Sequence, residues 1–120
     1  MSSRGKDKKL ARKLETEMIN RKRAQIKECE SLEDPLSLVP IFQTFNKNGV
    51  EAKLISFTKI PEEFENWAFS LIETNMKQIY EDTWGWKPEA KEAELFDESS
   101  RFLIAFTNEG PVGFVNYRFE

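Results

Sequence analysis

Histidine is missing from these 120 residues, and cysteine occurs once, at Cys29. Without an imidazole there is no Ser-His-Asp or Cys-His catalysis and no zinc site of the His-Glu-x-x-His kind. A single thiol makes neither an internal disulfide nor a Cys-x-x-Cys centre, which suits a reducing compartment, cytosol or nucleus. No run of about 20 apolar residues is present to span a bilayer. The basic start is not followed by an apolar stretch, so no signal peptide is expected. The five glycines, Gly5, Gly49, Gly85, Gly110 and Gly113, are scattered, and none sits in a phosphate-cradling loop. Any chemistry is left to carboxylates, tyrosine, backbone groups or a cofactor.

What is present is enough for one domain with a modest core: 39% hydrophobic residues, ten Phe and three Trp. The net charge of −3 conceals a division. Residues 1–27 carry ten Lys or Arg against three acids, a net +7, and residues 28–120 carry eight bases against eighteen acids, a net −10. A basic arm on an acidic body implies two partners of opposite sign, or an arm that folds back on its own body. The acidic part favours a basic ligand over nucleic acid.

The arm, residues 1–30, has no proline and few β-branched residues, and Leu10, Leu14 and Met18 recur every four positions. The pattern predicts a thin-striped helix with a disordered start. Lys8-Lys9 and Arg21-Lys22-Arg23 are either a nuclear-import or ribosome-contacting patch, or simply a solvated charged face. Next, Pro35 and Pro40 break the helix, and SLEDPLSLVPIF is expected to pack apolar residues through a bend. Asn48-Gly49 signals a turn, and the alternation after it predicts a strand over residues 50–58. Pro61 opens a helix over residues 61–80, its first turn enriched in Glu. Phe64, Trp67, Ala68, Leu71, Ile72, Met76 and Ile79 fall at three-and-four spacing, so they should form its buried face. Pro88 starts a short helix over residues 88–96. Residues 101–106 and 112–120 read as two strands joined at Asn108-Glu109-Gly110-Pro111. In the return strand, Val112, Phe114, Asn116 and Arg118 should share one face.

Between the two helices lies YEDTWGWKP, residues 80–88, with two tryptophans astride Gly85. Each indole buries about 150–250 Å², at most roughly 4–6 kcal/mol per ring. Such rings either plug the end of a small core or line a groove, and spacing alone favours the plug for both. The return strand is still alternating at residue 120, apolar on both faces. A strand of that kind normally has a neighbour, so residues 31–120 are expected to be an incomplete domain with an association-prone edge.

The order strand, long helix, short helix, hairpin, preceded by a basic helix, resembles the first half of the acyl-CoA N-acyltransferase (GNAT) fold, an α+β architecture. DPLSLVPIFQTFNKNGVEAKL, NWAFSLIETNMKQIYEDTWGWK and RFLIAFTNEGPVGFVNYRFE together resemble the N-alpha-acetyltransferases of type D (NatD), the histone N-terminal acetyltransferases. The likeness runs over residues 32–120, and a Lys/Arg-rich leader is also shared. It implies transfer of acetyl from acetyl-CoA to the α-amino group of N-terminal Ser in histone four and histone two-A, in nucleus and cytoplasm. By resemblance, Tyr80 and Trp84 line the peptide groove, and Glu120 stands where the family has an Asp that pairs with the substrate arginine. The 80–84 loop is one residue shorter than the family's spacing. Trp84 would then be a groove wall and Trp86 a core plug beneath it.

The family's catalytic strand and its glycine loop for the coenzyme pyrophosphate have no counterpart in these residues. No residue is therefore assigned to catalysis or to acetyl-CoA binding, and Glu81, Asp82 and Asp97 are read as solvated loop acids. Neither a metal nor a membrane is expected as a partner. Two further readings stay open: a non-catalytic short form that binds basic histone tails, and a small protein whose basic arm docks on RNA or the ribosome.

Overall fold

Lys, Arg, Glu, Ala, Leu, Met and Gln, all strong helix formers, dominate the arm, and the computed structural model, which describes residues 3–120, makes it helical from Ser3 on. Helix α1 spans Ser3–Glu30 and has no buried residue. Leu10, Leu14 and Met18 are all exposed. The expected disordered start is not seen from Ser3 onward, and residues 1–2 lie outside the described residues. The chain divides into two compact units, one reaching Leu32 and including Phe119–Glu120, the other Glu33–Arg118.

In the second unit, Pro35 and Pro40 each open a short 3-10 turn, Pro35–Leu38 and Pro40–Phe42. The packed bend expected here does not form: Leu38, Val39, Ile41 and Phe42 are exposed. Next comes a strand the sequence did not announce, β1 (Thr44–Lys47), paired antiparallel with β2 (Val50–Phe57). Asn48 and Gly49 both have positive φ, 56° and 79°. That is the two-residue hairpin geometry Asn-Gly favours. The order is therefore hairpin, helix, helix, hairpin.

Helix α2 covers Glu62–Glu81, with Pro61 extended at the N-cap and not at the first helical position. Helix α3 covers Pro88–Leu95. Strands β3 (Arg101–Thr107) and β4 (Gly110–Tyr117) complete an antiparallel sheet in the order β1-β2-β3-β4. The fold is α+β. Strand β4 stops at Tyr117, short of the expected residue 120, because Tyr117 pairs with Arg101, the first residue of β3. Ala105 pairs with Gly113 and Phe106 with Pro111, so Val112 is the extra residue of a bulge. It is exposed and does not join the face shared by Phe114 and Asn116.

The register pairs Phe57 with Phe102, Ile55 with Ile104 and Ile104 with Phe114, so these residues share one face. Helix α2 lies on that face. Phe64 meets Phe106 at 5.4 Å between ring centroids, and Trp67 meets Phe114 at 5.6 Å. Ala68, wholly buried between them, has no bulk to hold the helix off the sheet. Ile60, Leu95, Phe102 and Ile104 are the other buried apolar residues, with Phe96 stacked on Phe102. Each buried side chain of this size contributes about 1.5–3 kcal/mol. Ile79 departs from its expected place on the buried face of α2 and is 56% exposed. It belongs to the last turn, beyond the reach of the packed cluster.

Candidate functional site

Helix α2 ends in a tight reversal built on one carbonyl. The backbone N–H groups of Thr83 and Gly85 both donate to the Tyr80 carbonyl, at 3.1 and 2.6 Å. The Thr83 hydroxyl donates to the Ile79 carbonyl at 2.9 Å. Gly85 has φ +86°, and nothing lies within 4 Å of where its Cβ would stand. Glycine is needed here for backbone conformation, not for space. The reversal sets both tryptophans about Tyr80, with ring centroids 6.0 Å (Trp84) and 5.9 Å (Trp86) away.

The two rings differ in support. Trp86 is half-buried and meets Phe69 of α2 at 6.2 Å. Trp84 is 80% exposed. Pro88 then starts α3, which brings Lys91 and Glu94 beside the aromatic group. Tyr80, Trp84, Trp86, Lys87, Lys91 and Glu94 line a cleft of about 180 Å³. The Lys91 ammonium stands 5.5 Å from the centroid of the Tyr80 ring and 3.6 Å from the Glu94 carboxylate.

Of the three residues singled out in the sequence, the structure brings Tyr80 and Trp84 together. Glu120 is exposed and belongs to the other compact unit. Lys91 and Glu94 were not singled out, although their i,i+3 spacing on a Pro-started helix was visible. Asp82 accepts a hydrogen bond from the Gln78 side chain at 3.0 Å. Asp97 accepts from both the hydroxyl and the backbone N–H of Ser99, at 2.6 and 2.9 Å. Those two bonds, the hydroxyl's foremost, hold the exposed Asp97 carboxyl below its ordinary value, and Arg118 adds to the effect. Both acids thus fix local turns.

A second cleft of about 270 Å³ lies between Lys59, Glu65, Phe96 and Glu98, with Phe102 as its floor. Among the described residues no group of three or more His, Cys, Asp or Glu side chains is placed to hold a metal. No helix among them is long and apolar enough to cross a membrane. No protein-family model matches the chain.

Proposed function

We propose that this chain carries part of the peptide groove of an N-terminal protein acetyltransferase of type D, which acetylates the N-terminal Ser of histone four and histone two-A. The observation that supports this most is the cleft at the end of α2. There an exposed indole, Trp84, is held against Tyr80 on an acidic unit. Residues 33–118 hold eight bases against fifteen acids, a net −7, which attracts a tail rich in Arg and Lys. In this reading Tyr80 and Trp84 are groove walls, and Glu120 takes the arginine at the third position of the tail. The protein would act in nucleus and cytoplasm.

The co-substrate of such an enzyme is acetyl-CoA, and the residues present do not fit it. No glycine loop leads into a helix N-terminus here. The first turn of α2 carries Glu62, Glu63 and Glu65, which repel a pyrophosphate, and α3 begins with Pro88 and Glu89. No transfer step is assigned to these residues, and with acetyl-CoA and peptide this chain alone is expected to match the uncatalysed rate. Its part is recognition.

Titration of the 120-residue chain with the free-amine peptide Ser-Gly-Arg-Gly-Lys, followed by tryptophan fluorescence, tests this. Binding that weakens about tenfold in Trp84→Ala, with the fold retained by circular dichroism, supports the groove. Equal affinity for a scrambled peptide of the same composition overturns it.

The other reading places the activity in α1, as an arm that docks on RNA or the ribosome. Ten Lys or Arg within residues 4–27 and the absence of any buried residue in that helix favour it. RNA binding that falls steeply with salt and disappears on deletion of residues 1–27, without any peptide binding, would establish it instead.

A further inference from the structure

We propose that the cleft at the end of α2 is a site for an organic cation, an ammonium or guanidinium on a peptide, and that Lys91 occupies it as an internal competitor. The peptide's identity rests on the function proposed above; the cation site does not.

Lysine usually lays its stem on apolar surface and keeps its charge in water. Lys91 lays its stem in this cleft, beside the aromatic rings. Its side chain is only 20% exposed, against 59% for its neighbour Glu94. Its ammonium is directed to the Tyr80 ring, 5.5 Å from the centroid, within cation–π range. At 3.6 Å from the Glu94 carboxylate it also has a counter-charge. An aromatic face and a carboxylate converging on one point are the groups that hold an ammonium or guanidinium. Trp84, exposed and 6.0 Å from Tyr80, offers a further face beside it. The protein's own lysine therefore marks the place and the charge of the ligand.

Lys87, Lys91 and Glu94 leave the closed cleft one positive charge in excess. An incoming cation cannot share it with Lys91, so the two exclude each other. Withdrawing Lys91 into solvent removes one positive charge and uncovers Tyr80 and Glu94. A nucleic-acid base stacked on Trp84 between the two lysines would be the opposite use of the same cleft. The net −7 of the surrounding unit opposes a polyanion and favours the cation.

The test is a titration of the full 120-residue chain, read at the Trp84 indole N–H by NMR. The probes are Ser-Gly-Arg-Gly-Lys, a scrambled peptide of the same composition, an N-acetylated peptide with Ala for Arg and Lys, and oligo-uridine. Lys91→Met should bind the cationic peptides about two- to fivefold tighter, which is what an exposed cation–π contact amounts to. The Ala peptide should show no gain. Glu94→Gln should weaken the cationic peptides by a similar factor, and it keeps the proposal testable if Lys91→Met does not fold. An equal gain for the scrambled peptide supports the cation site while removing the case for a histone tail. Unchanged or weaker cation binding by folded Lys91→Met overturns the proposal. So does oligo-uridine binding at Trp84 that Lys91→Met diminishes.

Discussion

Trp86 and Phe69 face each other with ring centroids 6.2 Å apart, which ties the loop after α2 back to the middle of that helix. Trp84, two residues earlier, has no such anchor and stands 80% in water. One loop thus holds a structural indole and an available one.

Unequal stability costs follow. Trp86→Ala should destabilise the fold by about 2–3 kcal/mol, under the roughly 3–5 of a fully buried ring because Trp86 is half-buried. Trp84→Ala should lie within about 0.5 kcal/mol of the parent, as for other exposed positions. Urea melts of both variants give the comparison. Equal losses would mean that both rings are core, and the groove would lose its wall.

The reversal that positions the rings depends on Gly85. With φ +86° and open space around the missing Cβ, Gly85→Ala meets backbone strain and no clash. It should cost about 1–2 kcal/mol. Gly113→Ala is the control: it also has open space, but its φ is not positive. It should be close to neutral. If the two substitutions cost the same, the left-handed conformation at Gly85 is not what the loop requires.

Much of this fold was legible in the sequence, for identifiable reasons. Helix α2 showed itself by the spacing of Phe64, Trp67, Ala68 and Ile72, because one face of it meets the sheet. Ile79 kept the spacing but not the burial, since periodicity does not reveal where the neighbouring layer stops. Strand β1 was missed because TFNK is short and exposed throughout, with no alternation of its own. Its signal lay one residue later: an Asn-Gly turn of the hairpin type needs a strand on each side. Tyr80 and Trp84 were singled out together only through the family resemblance; spacing alone did not pair them. Lys91 was not singled out, because Pro88 intervenes, and no spacing rule sets α3 against α2 across such a break.

Acid should weaken the turn that Asp97 closes. Its folded carboxyl titrates below its ordinary value of 3.8, held there first by the Ser99 hydroxyl and then by the Ser99 backbone N–H. A depressed carboxylate contributes stability that is fully present above the unfolded value and is lost as pH falls through the folded one. Asp97→Asn should therefore melt lower than the parent at pH 7, and the gap should close below about pH 3.8. Melting midpoints of both proteins between pH 7 and pH 3 give the result. A gap that persists or widens in acid would place the stabilisation elsewhere than in the ionised carboxylate.

If Glu120 receives the arginine at the third position of a histone tail, the loss on Glu120→Gln should depend on the peptide. A hydrogen bond to a charged group contributes roughly 1.5–3 kcal/mol. Glu120 is exposed, so solvent screening puts the effect at or below the lower end, about tenfold in affinity. The parent chain should prefer Ser-Gly-Arg-Gly-Lys over Ser-Gly-Ala-Gly-Lys, and Glu120→Gln should lose most of that preference. The Ala peptide should bind the two proteins nearly alike, because it lacks the guanidinium that the carboxylate would receive. The four dissociation constants form a double-mutant cycle that isolates the Glu120–arginine term from any general loss of negative charge. Trp84→Ala, run with the same two peptides, should weaken both by a similar factor, as a wall does. If Glu120→Gln weakens the two peptides equally, the carboxylate contributes only to the overall field, and the arginine is held by some other residue.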